Sequence, residues 1–257
     1  MRAVKALVAL HLLALLFCSA SHSYASGSIV LILDDLGNQR DIGREAIDIP
    51  WVSTVAVMPG RPFSQELAEY AHARSKEVII HAPMSNTTDF PLGALGLDRA
   101  DGKVQLLANL QKAIQSVPYA VGLSNHMGSR LTQDREAMNW VMKELKQAGF
   151  YFFDSRTIAT TIAWEAARDA HIPWSIRQIF LDHYQTQEFI AGQWQKAVDR
   201  ARDGENITVI CHPYAETIRF FRELDPAQYE LTQTAPLSSV LNYAPVQLPL
   251  RNFPEGA

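Results

Sequence analysis

Cysteine is nearly absent from this chain, with only Cys18 and Cys211 in 257 residues. If the leading segment is cleaved, Cys211 stands alone and an intrachain disulfide is excluded even in an oxidising compartment. Basic charge is not in excess either. The 23 Lys and Arg face 27 Asp and Glu, a mildly acidic balance that argues against nucleic acid as partner. Internal repeats and low-complexity linkers are missing, and a composition 47% hydrophobic and 19% charged excludes a disordered chain. One α/β domain with a substantial core is the expectation.

The long apolar run is confined to the N-terminus. MRAVKALVALHLLALLFCSASHSYAS places Arg2 and Lys5 before an apolar stretch that ends at Phe17, then small residues with a small-x-Ala site at Ser23-Tyr24-Ala25. This reads as a secretory signal peptide over residues 1–25, with the mature chain starting near Ser26. The stretch is short for a bilayer span, so no stable membrane insertion is expected after cleavage; an uncleaved N-terminal anchor is the alternative. Bulky Phe17 before Cys18 argues against a lipid-modified cysteine. Without Arg2 and Lys5, 21 basic residues oppose 27 acidic ones. The expected location is the periplasm.

Beyond the leader, apolar β-branched runs alternate with segments of helical period. Strands are predicted at Ser28 to Leu33, Val52 to Met58, Glu77 to Ile80, Ala120 to Ser124, Gly149 to Phe153, Ile176 to Leu181 and Asn206 to Cys211. Helical periodicity marks Pro62 to Arg74, Val104 to Ser116, Gln133 to Gln147 and Glu188 to Ala201. Thr132 stands where an N-cap belongs, before an acidic first turn, and Gly149 where a C-cap belongs. Strands without clean alternation, spaced by helices, indicate a parallel sheet covered on both sides. An irregular (β/α) barrel of about seven parallel strands, residues 26–240, is the first reading, and an open doubly wound sheet the second. Four prolines after Thr232 suggest an extended or partly loose tail, with 241–257 beyond the domain.

The polar residues at the strand ends are more specific. The runs end in Asp34-Asp35, His81, His126, Asp154, Asp182 and His212. In a β/α barrel these ends share one face, where catalytic groups gather. A lone Asp after a strand is more often a cap or turn former, and Asp154, followed by Ser155, fits that role. Asp182-His183 also reads as an ordinary loop. Asp34-Asp35 resists so plain an account, because adjacent carboxylates repel unless a cation lies between them. Asp and two His from different strand ends could form a catalytic zinc site with an open position for water. A second carboxylate could then accept that water's proton, and a histidine opposite could protonate the leaving group.

On LILDDLG, IIHAPM, LSNHMGSRLT, FFDSRT and VICHP, the chain resembles the polysaccharide deacetylases of the NodB-homology (carbohydrate esterase 4) type, most closely their divergent branch in bacterial envelopes. The resemblance spans about residues 28 to 240 and implies an irregular β/α barrel. It further implies Asp34 as catalytic base, Asp35 as metal ligand and His212, in Ile210-Cys211-His212, as general acid. Typical members carry two histidines four residues apart. Here Ser85 and Arg130 stand at that spacing from His81 and His126, so these two histidines are expected to replace the pair and bind zinc or another divalent metal with Asp35. Arg156 or Arg177 could hold the base carboxylate, or be ordinary ion-pair partners. Asn125 and Ser129 could orient a ligand or substrate, alongside Asp154 and Asp182. Trp164, Trp174 and Trp194 could stack on sugar, although buried core is the commoner role. The implied activity is metal-dependent removal of acetyl groups from an envelope polysaccharide such as peptidoglycan. The alternatives are a non-catalytic periplasmic glycan- or partner-binding protein on the same fold, and an amidase or another hydrolase acting on cell-wall material.

Overall fold

Parallel strands buried on both faces leave no polar face to orient them, so packing decides which residues point where. In this computed structural model, which describes residues 27–225, 227 and 233–244, the first strand, β1 (Ser28–Leu36), shows the rule. Ile29, Leu31 and Leu33 belong to the large cluster beneath the helices, whereas Val30 and Ile32 belong to a smaller cluster inside the curled sheet. The same parity holds at Ala56 in β2 (Val52–Val57), Ile79 in β3 (Glu77–Met84), Tyr151 and Phe153 in β5 (Tyr151–Asp154) and Ile210 in β8 (Ile207–Cys211), all of which face inward. Between β3 and β5 in the sheet lies β4 (Ala120–Met127).

The sheet order is β6-β5-β4-β3-β2-β1-β8-β7, with β6 (Trp174–Ile176) and β7 (Ile179–Phe180) at its two ends. Every pairing between these strands is parallel. Strands adjacent in sequence thus occupy opposite edges, and Arg177-Gln178 spans the gap. Gln178 N–H donates to Thr208 O at 3.1 Å, and Thr208 Oγ1 donates to Ile176 O at 2.5 Å across the seam. The architecture is a parallel sheet curled into an incomplete barrel. The single strand expected over Ile176 to Leu181 is therefore two, because the chain crosses the seam in its middle. With β9 (Gln233–Thr234), which pairs with β1, the sheet has nine strands among the described residues, two of them short additions to the seven expected.

Helices α1 (Arg40–Ile47), α2 (Ser64–His72), α3 (Gly102–Ser116), α4 (Arg135–Ala148), α5 (Ala163–Asp169), α6 (Gln187–Arg202) and α7 (Ala215–Glu223) form the outer layer. The cap of α4 is Asp134, not Thr132. Its side chain accepts Ala137 N–H at 3.0 Å, while Thr132 sits in a preceding 3-10 turn and donates to Gly128 O. Gly149 ends α4 in the left-handed conformation expected of it. Among the described residues no helix is long and apolar enough to cross a membrane. The proposed leader, residues 1–25, lies outside the described residues, as does the tail from 245.

The part of the tail that is described is packed rather than loose. Leu237 is fully buried in the inner cluster, its N–H donates to Thr54 Oγ1 at 3.0 Å, and Ser238 N–H donates to Glu77 Oε1 at 3.0 Å. Asn242 and Trp174 exchange backbone hydrogen bonds of 3.0 and 2.7 Å, so the fold continues past residue 240. Thr54 and Glu77 sit toward the amino ends of their strands, so this segment plugs the face opposite the candidate site. Leu237→Ala should cost about 2–5 kcal/mol in urea denaturation, as deletion of a buried leucine side chain does.

Candidate functional site

Inward parity carries Asp34, His81, Ser124, His126 and His212 to the carboxyl mouth of the barrel. Asp35 would point outward in a regular strand. It adopts a left-handed backbone, φ 63°, and the pairing of β1 with β2 shifts register between Leu33 and Leu36. The irregularity turns two consecutive carboxylates into one cleft. Asp is among the non-glycine residues that best tolerate this conformation.

The histidines close around the pair. Asp35 Oδ1 lies 3.1 Å from His81 Nε2 and 2.7 Å from His126 Nδ1, and the ligand atoms of Asp35, His81 and His126 all fall within 4.8 Å of one another. Asp35 Oδ1 is buried and, despite these approaches, has no well-directed hydrogen-bond partner. An oxygen and two ring nitrogens that crowd together without donating to one another are arranged as a cation's ligands are, and the Asp-His-His donor set suits zinc. The residues fit a divalent metal. His81 is fixed from behind: Nδ1 shares a 2.7 Å hydrogen bond with buried Ser124 Oγ, which leaves Nε2 to face the carboxylates.

Burial opposes charge on Asp35, but the His126 and His81 rings outweigh it and hold this carboxyl far below the usual range. Asp34 behaves oppositely. It is buried, Oδ1 has no hydrogen-bond partner, and the nearest charged contact is His81 Nε2 at 3.9 Å. Burial raises its pKa, with His81 and His212 only partly offsetting the effect. Two neighbouring carboxylates are thus split into one that stays ionised and one that takes up a proton more readily.

On the far side, His212 Nδ1 donates to Asp182 Oδ1 at 2.9 Å, and Nε2 lies 3.9 Å from Asp35 Oδ2. Asp182 is itself locked, because Oδ2 accepts His212 N–H at 2.7 Å and Thr217 Oγ1 at 2.8 Å. Burial alone would lower the His212 pKa; Asp182, helped by Asp35 and Asp34, pushes it up to about 9. The ordinary loop that Asp182-His183 suggested is instead the support of this imidazole.

Other expected residues divide by geometry. Asn125, Ser129 and Arg177 line the same cleft, of about 390 Å³. Asn125 accepts Ser155 N–H at 3.0 Å and donates to Met127 O at 2.7 Å, and Ser129 Oγ accepts Thr87 N–H at 3.0 Å, so both brace loops. Asp154 has outward parity and does not reach the cleft. It accepts Arg156 N–H at 2.8 Å and Thr161 Oγ1 at 2.8 Å, the turn-forming role. Arg156 is exposed and away from the cleft, and neither it nor Arg177 makes an ion pair with Asp34. The tryptophans are not a sugar platform here. Trp194 is fully buried against Trp51 and Phe221, and Trp164 packs on Trp174 at 5.0 Å; the cleft's aromatic residues are Phe90 and Phe180. Ser124 was not anticipated. Its only signal is the β3–β4 register that sets it beside His81.

A curled parallel sheet that gathers a metal-capable triad, a buried carboxylate and a supported imidazole at its mouth is an arrangement of the hydrolase type. A family model described as divergent polysaccharide deacetylase matches residues 31–241, and the chain belongs to that family. It is 33% identical over 199 residues to the uncharacterized protein YibQ of Escherichia coli K12, covering 77% of this chain and 62% of that protein. It is 28% identical over 198 residues to an uncharacterized protein of Haemophilus influenzae, covering 77% and 71%. The chain therefore spans less than two thirds of the E. coli relative. The crystal structure of uncharacterized protein ATU2773 from Agrobacterium tumefaciens superposes with a TM-score of 0.76 at 18% identity, covering 84% of this chain and 90% of that one, a likeness of fold.

Two expectations arise from the geometry. His81→Ala and His126→Ala proteins should each lose stoichiometric zinc in metal analysis, and Ser124→Ala should weaken zinc affinity by about 10–100-fold; full retention in a histidine variant removes that residue from the site. In chelator-treated protein, an NMR titration of His212 should give a pKa near 9 that falls toward the ordinary 6.5 in Asp182→Asn. Because the folded value is the higher, this pair stabilises the metal-free fold fully below about pH 6.5 and progressively less as pH rises to 9.

Proposed function

We propose that this protein is a zinc-dependent hydrolase that removes acetyl groups, chiefly N-linked, from an envelope polysaccharide in the periplasm. The observation that carries the reading is the division of Asp34 and Asp35 into a buried proton acceptor and a persistent anion flanked by His81 and His126. Membership of the deacetylase family supports it. The N-terminal segment supports export.

Asp35, His81 and His126 would hold the metal, which when bound lowers the pKa of a coordinated water and polarises a carbonyl oxygen. Asp34, with its raised pKa and no competing hydrogen bond at Oδ1, accepts the proton released by water as it attacks the acetyl carbon. His212, its pKa pushed up by Asp182 and its Nδ1 held by that carboxylate, presents Nε2 as the donor to the departing amine nitrogen. The acceptor of the water proton and the donor of the leaving-group proton thus stand on opposite walls of one cleft.

Zinc-loaded protein should release acetate from N-acetylated chitooligosaccharides or peptidoglycan fragments, with products lighter by one acetyl unit in mass spectrometry. Asp34→Asn should lower kcat by about 10²–10⁴-fold while zinc content stays at wild-type level. Undiminished release by Asp34→Asn would contradict the assigned base, and chain scission in place of acetyl loss would point to an amidase.

A further inference from the structure

Arg177 is a cation placed where the fold would not need one. It stands in the seam between β6 and β7, half-buried, with its side chain on the wall of the cleft. Its Nε donates to Ser155 O and its Nη2 to Arg156 O, both at 2.7 Å, and its guanidinium lies 5.2 Å from the Phe180 ring centroid. These contacts fix the plane of the fork but supply no negative charge. Among the described residues no carboxylate lies within ion-pair distance of it, and Nη1 has no partner. Asp154 and Asp34 favour its charge only from beyond ion-pair distance, so the half-buried guanidinium is incompletely compensated, and arginine's planar fork is the usual receptor for a carboxylate.

A second, independent feature adjoins it. Ser155, 2% exposed and also on the cleft wall, has a buried Oγ with no hydrogen-bond partner. Its own carbonyl is the one Arg177 Nε grips, so the residue with the unused hydroxyl is tied directly to the guanidinium. The other polar groups nearby are committed: Asn125 to Met127 and Ser155, and Thr157 Oγ1 to Met127 O. One free cation and one free hydroxyl match one monoanion better than a doubly charged phosphate.

We infer that Arg177 and Ser155 form a subsite for a carboxylate substituent, so that the substrate is an acidic N-acylated glycan carrying a carboxylate close to the acetyl group removed. This rests on the deacetylase reading and narrows its substrate class. Arg177 and Ser155 are specificity residues; proton transfer stays with Asp34 and His212.

The test compares an N-acetylated oligosaccharide that carries a carboxylate on the neighbouring sugar with its carboxamide counterpart, using zinc-loaded protein. Wild type should favour the acid by about tenfold in kcat/KM, and Arg177→Gln should bring that ratio close to unity, mainly through KM. Ser155→Ala, which disturbs no contact in the fold, should reduce the ratio by about threefold and decides the matter if Arg177→Gln does not fold by circular dichroism. A ratio near unity in wild type, or one that neither variant moves, overturns the subsite and leaves deacetylation standing. If neither compound is hydrolysed, calorimetry separates the two ideas. Acid-selective binding that Arg177→Gln weakens about tenfold upholds the subsite while deacetylation falls; binding without such selectivity overturns the subsite as well.

Discussion

The mouth of this barrel is organised by like-charge repulsion. Asp34 and Asp35 are consecutive, and a regular strand would have sent them to opposite faces; the left-handed turn at Asp35 brings both to one side. Two charges about 4 Å apart in a protein-like medium repel by roughly 4 kcal/mol, so such a pair persists only where its surroundings compensate. His81 and His126 against Asp35, His81 near Asp34, and His212 beyond both are that compensation. The groups then differ through burial. Asp34 is the more enclosed and holds its proton more readily, while Asp35, touched by two imidazoles, remains charged. The asymmetry between the two carboxylates is thus produced by one backbone irregularity and by the depth at which each comes to rest.

Support of the histidines comes from strand register. His81 faces Ser124 because β3 and β4 pair at those residues, and the 2.7 Å contact to the hydroxyl is the lateral consequence of that pairing. His212 is held by Asp182 because β7 and β8 pair at Phe180 and Ile210, so each strand's next residues leave the sheet side by side. Neighbouring strands therefore supply both an imidazole and the group that fixes its orientation.

Much of this was legible in the sequence, and the remainder fails for a definite reason. Runs ending in Asp34-Asp35, His81, His126 and His212 revealed the strands and the mouth, because parallel strands align their carboxyl ends. Which strand-end residues face the mouth was not legible, since both faces of each strand are apolar and the phase of alternation leaves no mark in hydropathy. Asp154 and His81 look equivalent as residues following apolar runs; in the fold one points out and forms a turn, the other points in. The seam was hidden in the same way. Ile176 to Leu181 reads as one apolar run, and only the curvature of the whole sheet assigns its halves to opposite edges.

That seam also explains why the cleft can be polar at its side as well as at its floor. A closed barrel satisfies the backbone groups of every strand within the sheet, whereas an incomplete one must satisfy the chain that crosses the gap by other means. Here Thr208 and Gln178 bridge the lower part, and Arg177 closes the upper part by holding the carbonyls of Ser155 and Arg156. An aliphatic residue at 177 would leave those two acceptors without donors, so the position demands a long polar side chain; arginine meets the demand and adds a charge beyond it. The surplus charge faces the cleft that the two carboxylates also line, so the residue that closes the seam also presents a cation to whatever enters.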